Sequence, residues 1–235
     1  MCAPNLGGAN RATSQTRWSW SYQRVTNDDG ASTQRLTGLA SMRPGARWQL
    51  SVSPFYDRVT EPQQYVSTLS GGRPITFDNR YVFAFIDRST ASVEFRLGLT
   101  LRPDVNLDVY AEPFAASGRY YDYGELAAPG SRERIRYGTA GTLLATQPDG
   151  SQLVTIGGIT IPLRNRDFNT VSFRSNVVLR WEWRAGSTLY VVWQQDRADS
   201  RILGTRVGID DAFRSVTAPG SNIFLVKTSF WIPVR

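Results

Sequence analysis

The segment Arg80–Thr100 constrains this chain more than any other. Ala91, Val93, Phe95, Leu97 and Leu99 share one parity; Arg88, Thr90, Ser92, Glu94 and Arg96 share the other. A repeat of two is that of an extended strand with one apolar and one polar face. Tyr81, Phe83 and Phe85 prolong the apolar parity, with Asp87 and Ser89 interrupting it. Fully extended, the run would reach ~66 Å at ~3.3 Å per residue. Strands of soluble domains are usually about five or six residues long, so an ordinary sandwich is a poor fit.

The same alternation recurs along the chain. It is present in Arg17–Thr26, where Trp18, Trp20 and Tyr22 are the aromatic set, and more weakly in Ser32–Met42. It returns from Trp48 through Leu50 and Val52 to Tyr56, and again where Leu107, Val109 and Ala111 alternate with Asp108, Tyr110 and Glu112. Val171–Arg184, Leu189–Trp193 and Val226–Ile232 complete the set. Three connections are short and alike: Met42-Arg43-Pro44-Gly45, Leu101-Arg102-Pro103-Asp104 and Trp183-Arg184-Ala185-Gly186. Between them fall polar stretches at about 61–79, 116–166 and 196–221. The second contains a hairpin signal, Gln147-Pro148-Asp149-Gly150, between Thr142–Ala145 and Leu153–Ile156. In the third, Ile209–Val216 predicts one or two helical turns. The expected fold is therefore all-β: an antiparallel up-and-down meander of about eight long strands over residues 16–235, after an irregular segment 1–15.

Alternation leaves open which solvent the apolar face meets. A transmembrane barrel turns that face to lipid and the polar face to its lumen. Strands long enough for the 9–11 residues of a tilted crossing, short turns alternating with long loops, and aromatics at strand ends favour a barrel, whole or partial. In that arrangement Val93, Phe95, Leu97, Leu99, Val177, Leu179, Trp181 and Trp183 face lipid. Arg88, Glu94, Arg96, Asp108, Glu112, Arg174, Arg180, Glu182 and Lys227 face the lumen. A one-residue slip would push Arg88, Glu94 and Arg96 into hydrocarbon at about 2–4 kcal/mol per basic residue at midplane, and less for the acid. Asp87 then implies a bulge, or a part of the strand standing above the bilayer. Arg119, Arg132, Arg134 and Arg136 in the second long loop are candidates for the phosphates of lipopolysaccharide, which the planar guanidinium fork suits. The competing reading is a soluble, lectin-like all-β module.

Composition removes other classes. The chain has no histidine and one cysteine, Cys2. Serine–histidine triads, histidine-based metal sites, thiolate zinc sites and internal disulfides are excluded. Lys+Arg outnumber Asp+Glu by 27 to 20, but the basic residues are spread along the chain rather than clustered as a nucleic-acid face requires. No stretch approaches the ~18 apolar residues of a membrane helix, and the N-terminus lacks the pattern of a secretory signal. Asp28-Asp29-Gly30 and Asp210-Asp211 read as turn and helix-start chemistry rather than metal sites. Asp122 and Glu125 form a weak candidate for a glycosidase-like pair. No catalytic residue, metal or cofactor is expected.

Asp167–Trp193, with Arg180-Trp181-Glu182-Trp183 at its centre, resembles one bacterial family. Arg80-Tyr81-Val82-Phe83-Ala84, Tyr110–Tyr120 and Asn222–Lys227 carry the same likeness, which runs from about Leu36 to the end. The family is the uncharacterised outer-membrane β-barrel domain that follows a carbohydrate-binding, family-9-like module in large Gram-negative surface proteins. The resemblance implies the C-terminal part of such a barrel, with a signal peptide and the sugar-binding module upstream. It also implies outer-membrane lipid and lipopolysaccharide as partners, carbohydrate through the upstream module, and a passive or accessory role in carbohydrate handling. It offers no catalytic residues.

Overall fold

The computed structural model describes residues 4–11, 15–131, 133–139 and 141–232. The strands are β1 (Asn5–Ala9), β2 (Thr16–Thr26), β3 (Ser32–Gly45), β4 (Trp48–Ser70), β5 (Asn79–Arg102), β6 (Val105–Leu126) and β7 (Arg134–Arg136). They continue with β8 (Thr142–Thr146), β9 (Gln152–Ile156), β10 (Ile159–Leu163), β11 (Phe168–Arg184), β12 (Ser187–Arg201), helix α1 (Ile209–Arg214) and β13 (Gly220–Ser229). The fold is all-β. One antiparallel sheet runs β1-β2-β3-β4-β5-β6-β11-β12-β13, with β7 attached to β6, and β8–β10 form a separate three-stranded sheet.

The eight strands expected from the alternation are all in this meander, but thirteen strands are described in total. The additional ones are β1 and the four short strands of the β6–β11 connection. β1 lies in the segment expected to be irregular. Its sequence, Asn-Leu-Gly-Gly-Ala, has little strand preference of its own; it is ordered by the backbone of β2, with Leu6 opposite Tyr22 and Gly8 opposite Trp20. The described strands do not close into a barrel. β1 pairs only with β2 and β13 only with β12, leaving two open edges.

The first long polar stretch is also mostly strand, because β4 continues to Ser70. Pro62 reads as a loop signal, since it cannot donate to a ladder. Here it falls where the β4–β5 register shifts, between Glu61 and Gln64, and beyond the last β3 pairing at Ser32–Thr60. A bulge at the end of the β3 partnership absorbs the missing donor. Likewise β6 runs on to Leu126 and β12 to Arg201. Asp122, at φ 54°, sits where β6 changes phase against β5, between the pairings of Tyr121 and Gly124.

The three similar short turns each carry a register shift, at Met42/Gly45, Thr100/Arg102 and Trp181/Arg184. In the last, Gly186 has φ 76°, and a Cβ there would lie 2.8 Å from that of Trp231. Gly186→Ala is expected to cost about 1–2 kcal/mol, from left-handed strain plus that contact, read as a lower denaturation midpoint.

Candidate membrane interface

Cross-strand register shows how the side chains of the meander are sorted. Leu97 stands opposite Leu50 on one side and Val109 on the other; Val109 faces Val177, Val177 faces Trp193, and Trp193 faces Phe224. The same row continues to Met42 on β3, opposite Leu50, and the one below runs Trp48, Leu99, Leu107, Leu179, Val191, Val226. On β2, Trp18 and Trp20 share this side through Ala40 and Gly38. The apolar parity of each strand is thus aligned with that of the next, giving one continuous belt. On β5 the belt extends from Ala91 to Leu101, roughly eleven residues, or about 36 Å of strand and about 25 Å of height at a 45° tilt.

Large parts of the belt are open: Trp18, Trp20, Leu36, Trp48, Trp181, Trp193, Phe224 and Val226 are all exposed. Contiguous apolar surface on this scale is uncommon on soluble monomers. At the short-turn end the aromatics cluster. Trp181 and Trp183 meet edge to face at 6.3 Å, Trp183 meets Phe230 at 5.4 Å, and the Trp181 indole N–H donates to Asp104 at 3.2 Å. An apolar ring with a polar handle suits the boundary between hydrocarbon and water.

The opposite face is polar and internally paired. Arg96 donates twice to Glu94, at 2.8 and 3.2 Å, and lies 5.2 Å from the Tyr110 ring centre; the Tyr110 hydroxyl donates to Glu112 at 2.6 Å. Glu112 stands opposite Arg174, and Arg174 opposite Asp196. Asp108 faces Gly98, Arg180 bonds Glu182 at 3.3 Å, and Lys227 is opposite Tyr190, itself opposite Arg180. Arg88 is exposed on this same parity. All the residues expected to line a lumen therefore share one face, and all those expected to meet lipid share the other.

Two connections fold onto the sheet at the long-loop end, on opposite sides. On the polar side, β8–β10 form a cap whose core joins Val66, Val82, Ala84, Tyr123, Tyr137, Val154 and Leu163. Ion pairs pin it. Arg80 donates to Glu125 at 2.7 Å, the Tyr137 hydroxyl donates to the same carboxylate at 3.2 Å, and Asp122 accepts from Arg134 and Arg136. Burial, followed by the adjacent Glu125 charge, pushes the Tyr137 hydroxyl well above its ordinary value. The two carboxylates considered for acid–base chemistry are thus each held by arginine. Arg134 and Arg136, considered for lipopolysaccharide, are engaged with Asp122, and Arg134 also lies 4.8 Å over the Phe85 ring. Arg132 lies outside the described residues. Arg119 is exposed and lines a cavity of about 640 Å³ with Asp87, Asp167 and Arg206.

On the apolar side, residues 202–219 form a strap containing α1. Asn169 exchanges two hydrogen bonds with Thr205, at 2.8 and 3.1 Å; Arg206 donates to Asp87 at 2.8 Å; the Val207 N–H donates to the Ser89 hydroxyl at 3.0 Å. Ala91, Ala115, Val207 and Ala212 form a small core beneath it, and Phe213 lies 6.1 Å from Phe95. This corrects the expectation for Val93, between those two contacts: at 4% exposed it is buried within the protein. Asp87 is no bulge: it pairs in regular register with Thr60 and Arg119, and the nearest shifts lie at Glu61/Gln64 and Phe83/Phe85. It is the anchor of the strap, accepting from Arg58 at 3.0 Å as well as from Arg206. The polar interruption at Asp87 and Ser89 was the visible signal of this docking site; Arg206 and Asn169 carried none.

The remaining acidic pairs have local duties. Asp29 accepts from the Ala31 N–H in the β2–β3 turn, and Asp211 caps the Gly208 N–H at 2.9 Å while pairing with Arg214. Among the described residues no group of three or more metal-ligating side chains occurs. No helix among them is long and apolar enough to cross a membrane, which does not bear on crossing by strands. Comparison of the chain with protein-family models, with curated proteins and with solved structures finds no match.

Proposed function

We propose that this chain is the strand-rich part of an outer-membrane β-barrel of a Gram-negative bacterium, with a passive or accessory role in carbohydrate handling or uptake at the cell surface and no catalysis of its own. The observation that carries this reading is the alignment of apolar side chains from β1 to β13 on a single, largely open face. Burial of such a face requires either hydrocarbon or a second protein layer. Among the described elements, only the strap stacks upon it, at one end. The height of the belt, its aromatic border at the short turns, and the ion-paired polar face all accord with a bilayer. A soluble lectin-like module would need a layer over the belt.

The open edges accord with a barrel completed by further strands, and the resemblance of Asp167–Trp193 to the barrel domain behind a family-9-like module supplies the link to carbohydrate. The short turns then lie at the periplasmic rim and the cap and strap at the outer one. Lipopolysaccharide and outer-leaflet lipid are the proposed partners, with carbohydrate reached through an upstream module. The test is expression in a Gram-negative host behind an added outer-membrane signal peptide. The protein is expected in the outer-membrane fraction, resistant to carbonate and urea, extracted by detergent, and migrating differently on gels before and after heating. A monodisperse product in buffer without detergent would overturn the proposal.

A further inference from the structure

We infer that the strap is an interfacial anchor: its outer side lies in the headgroup and upper acyl region of the outer leaflet, continuing the belt above the crossing strands. This rests on the barrel reading. The strap is docked on the apolar face and not on the polar one, through Val207, Ala212 and the Phe213–Phe95 contact. Its buried side is small, with Ala212 and Ser215 fully enclosed. Its other side presents Ile202, Leu203, Ile209 and Val216, exposed by 67, 58, 39 and 41%. A connection that meets only water has no use for four large apolar side chains turned away from its own core. Arginine side chains flank them. Those of Arg201, Arg206 and Arg214 are 71, 59 and 74% exposed and each is held by an aspartate of the same rim. Apolar side chains beside half-neutralised arginines are the composition of a segment lying at a membrane surface, apolar groups reaching the acyl boundary and guanidinium groups at phosphate level.

The occupant is therefore lipid, and the proposal is tested by depth. In a Cys2→Ser background, Leu203→Cys and Val216→Cys on the strap, Phe224→Cys on the belt and Thr155→Cys on the cap would each carry a nitroxide. The protein would be placed in nanodiscs of phosphatidylethanolamine and phosphatidylglycerol. Relaxation by oxygen, which concentrates in hydrocarbon, is compared with relaxation by a water-soluble nickel chelate. The labels at 203 and 216 are expected to favour oxygen several-fold over the label at 155 and to approach the label at 224. Nickel-dominated labels on the strap beside an oxygen-dominated label at 224 would overturn the anchor and leave the barrel reading standing. Strap labels reached by neither reagent would also overturn it, pointing to burial against a second copy of the chain. A nickel-dominated label at 224 would remove the barrel reading, and the anchor with it.

Discussion

Arginine in place of Leu97 is expected to destabilise the membrane-inserted protein by about 2–4 kcal/mol, whereas arginine in place of Ser51 is expected to cost little. The two positions sit on adjacent strands at nearly the same height. Leu97 pairs with Leu50 and Val109 in the middle of the belt; Ser51 pairs with Arg96 and Ser41 on the polar face. A basic side chain on the lipid face near midplane carries that cost, because no water or counter-charge reaches it. On the polar face the new guanidinium remains hydrated, and its cross-strand neighbour Arg96 is already paired with Glu94, which keeps the like-charge cost to about 0.2–1 kcal/mol. Reversible unfolding in urea with lipid vesicles measures both. Equal effects for the two variants would mean that the faces do not differ in solvent, and the assignment of the belt to hydrocarbon would fall.

Asp87→Ala is expected to release the strap at a cost of about 2–3 kcal/mol. The carboxylate is 13% exposed and accepts from Arg58, 29% exposed, and from Arg206, 59% exposed. Its removal leaves Arg58 half-buried without its ion pair. The exposure of Arg206 keeps the loss below the roughly 3–5 kcal/mol of a fully buried pair. Hydrogen exchange should show faster exchange at the Val207 amide, which bonds Ser89 two residues along, with little change in the short turns. The same contact gives an acid limb. Burial alone would raise the Asp87 carboxyl, but the hydrogen bonds from Arg58 and Arg206 outweigh it and hold the group below the usual carboxylate range. Its stabilisation is complete above the unfolded value near 4 and is lost as pH falls through the folded one. Strap protection in the wild-type protein should fall in that interval, and the Ala variant should lack the transition.

What could be read in the sequence ends where burial stops keeping to one side of the sheet. From Ala91 to Leu99 one face is apolar and the other polar, so parity alone fixed which residues stand together, and the register of β4, β5, β6 and β11 follows it. Above Asp87 this signal ends. Val82 and Ala84 are buried on the polar-parity side beneath the cap, while Ser89 and Ala91 are buried on the other beneath the strap. The covered side changes along the strand, so apolar residues no longer keep to one parity; the outer parts of β4 and β6 read as loop for that reason, and that of β12 because it is polar and open. The hairpin around Pro148-Asp149-Gly150 and the helical turns at Ile209 were legible because their signals are local. Partnerships such as Asp87–Arg206 and Arg166 with the Val66 carbonyl link residues far apart in the chain, and nothing in either neighbourhood announces them.

That separation bears on the order of assembly. The cap and the strap grip the outer halves of β4–β6 from opposite sides, but the strap is synthesised only after β11 and β12. Contacts bridging such long intervals form slowly, because the intervening chain must be ordered first. The belt portion of the meander needs only neighbouring hairpins, whereas the end beneath the strap stays unclasped until residues 202–219 dock. Rim locking is therefore expected late in folding, and a chain truncated before residue 202 would lose the strap and β13 together, leaving the belt one strand narrower beneath a loose outer mouth.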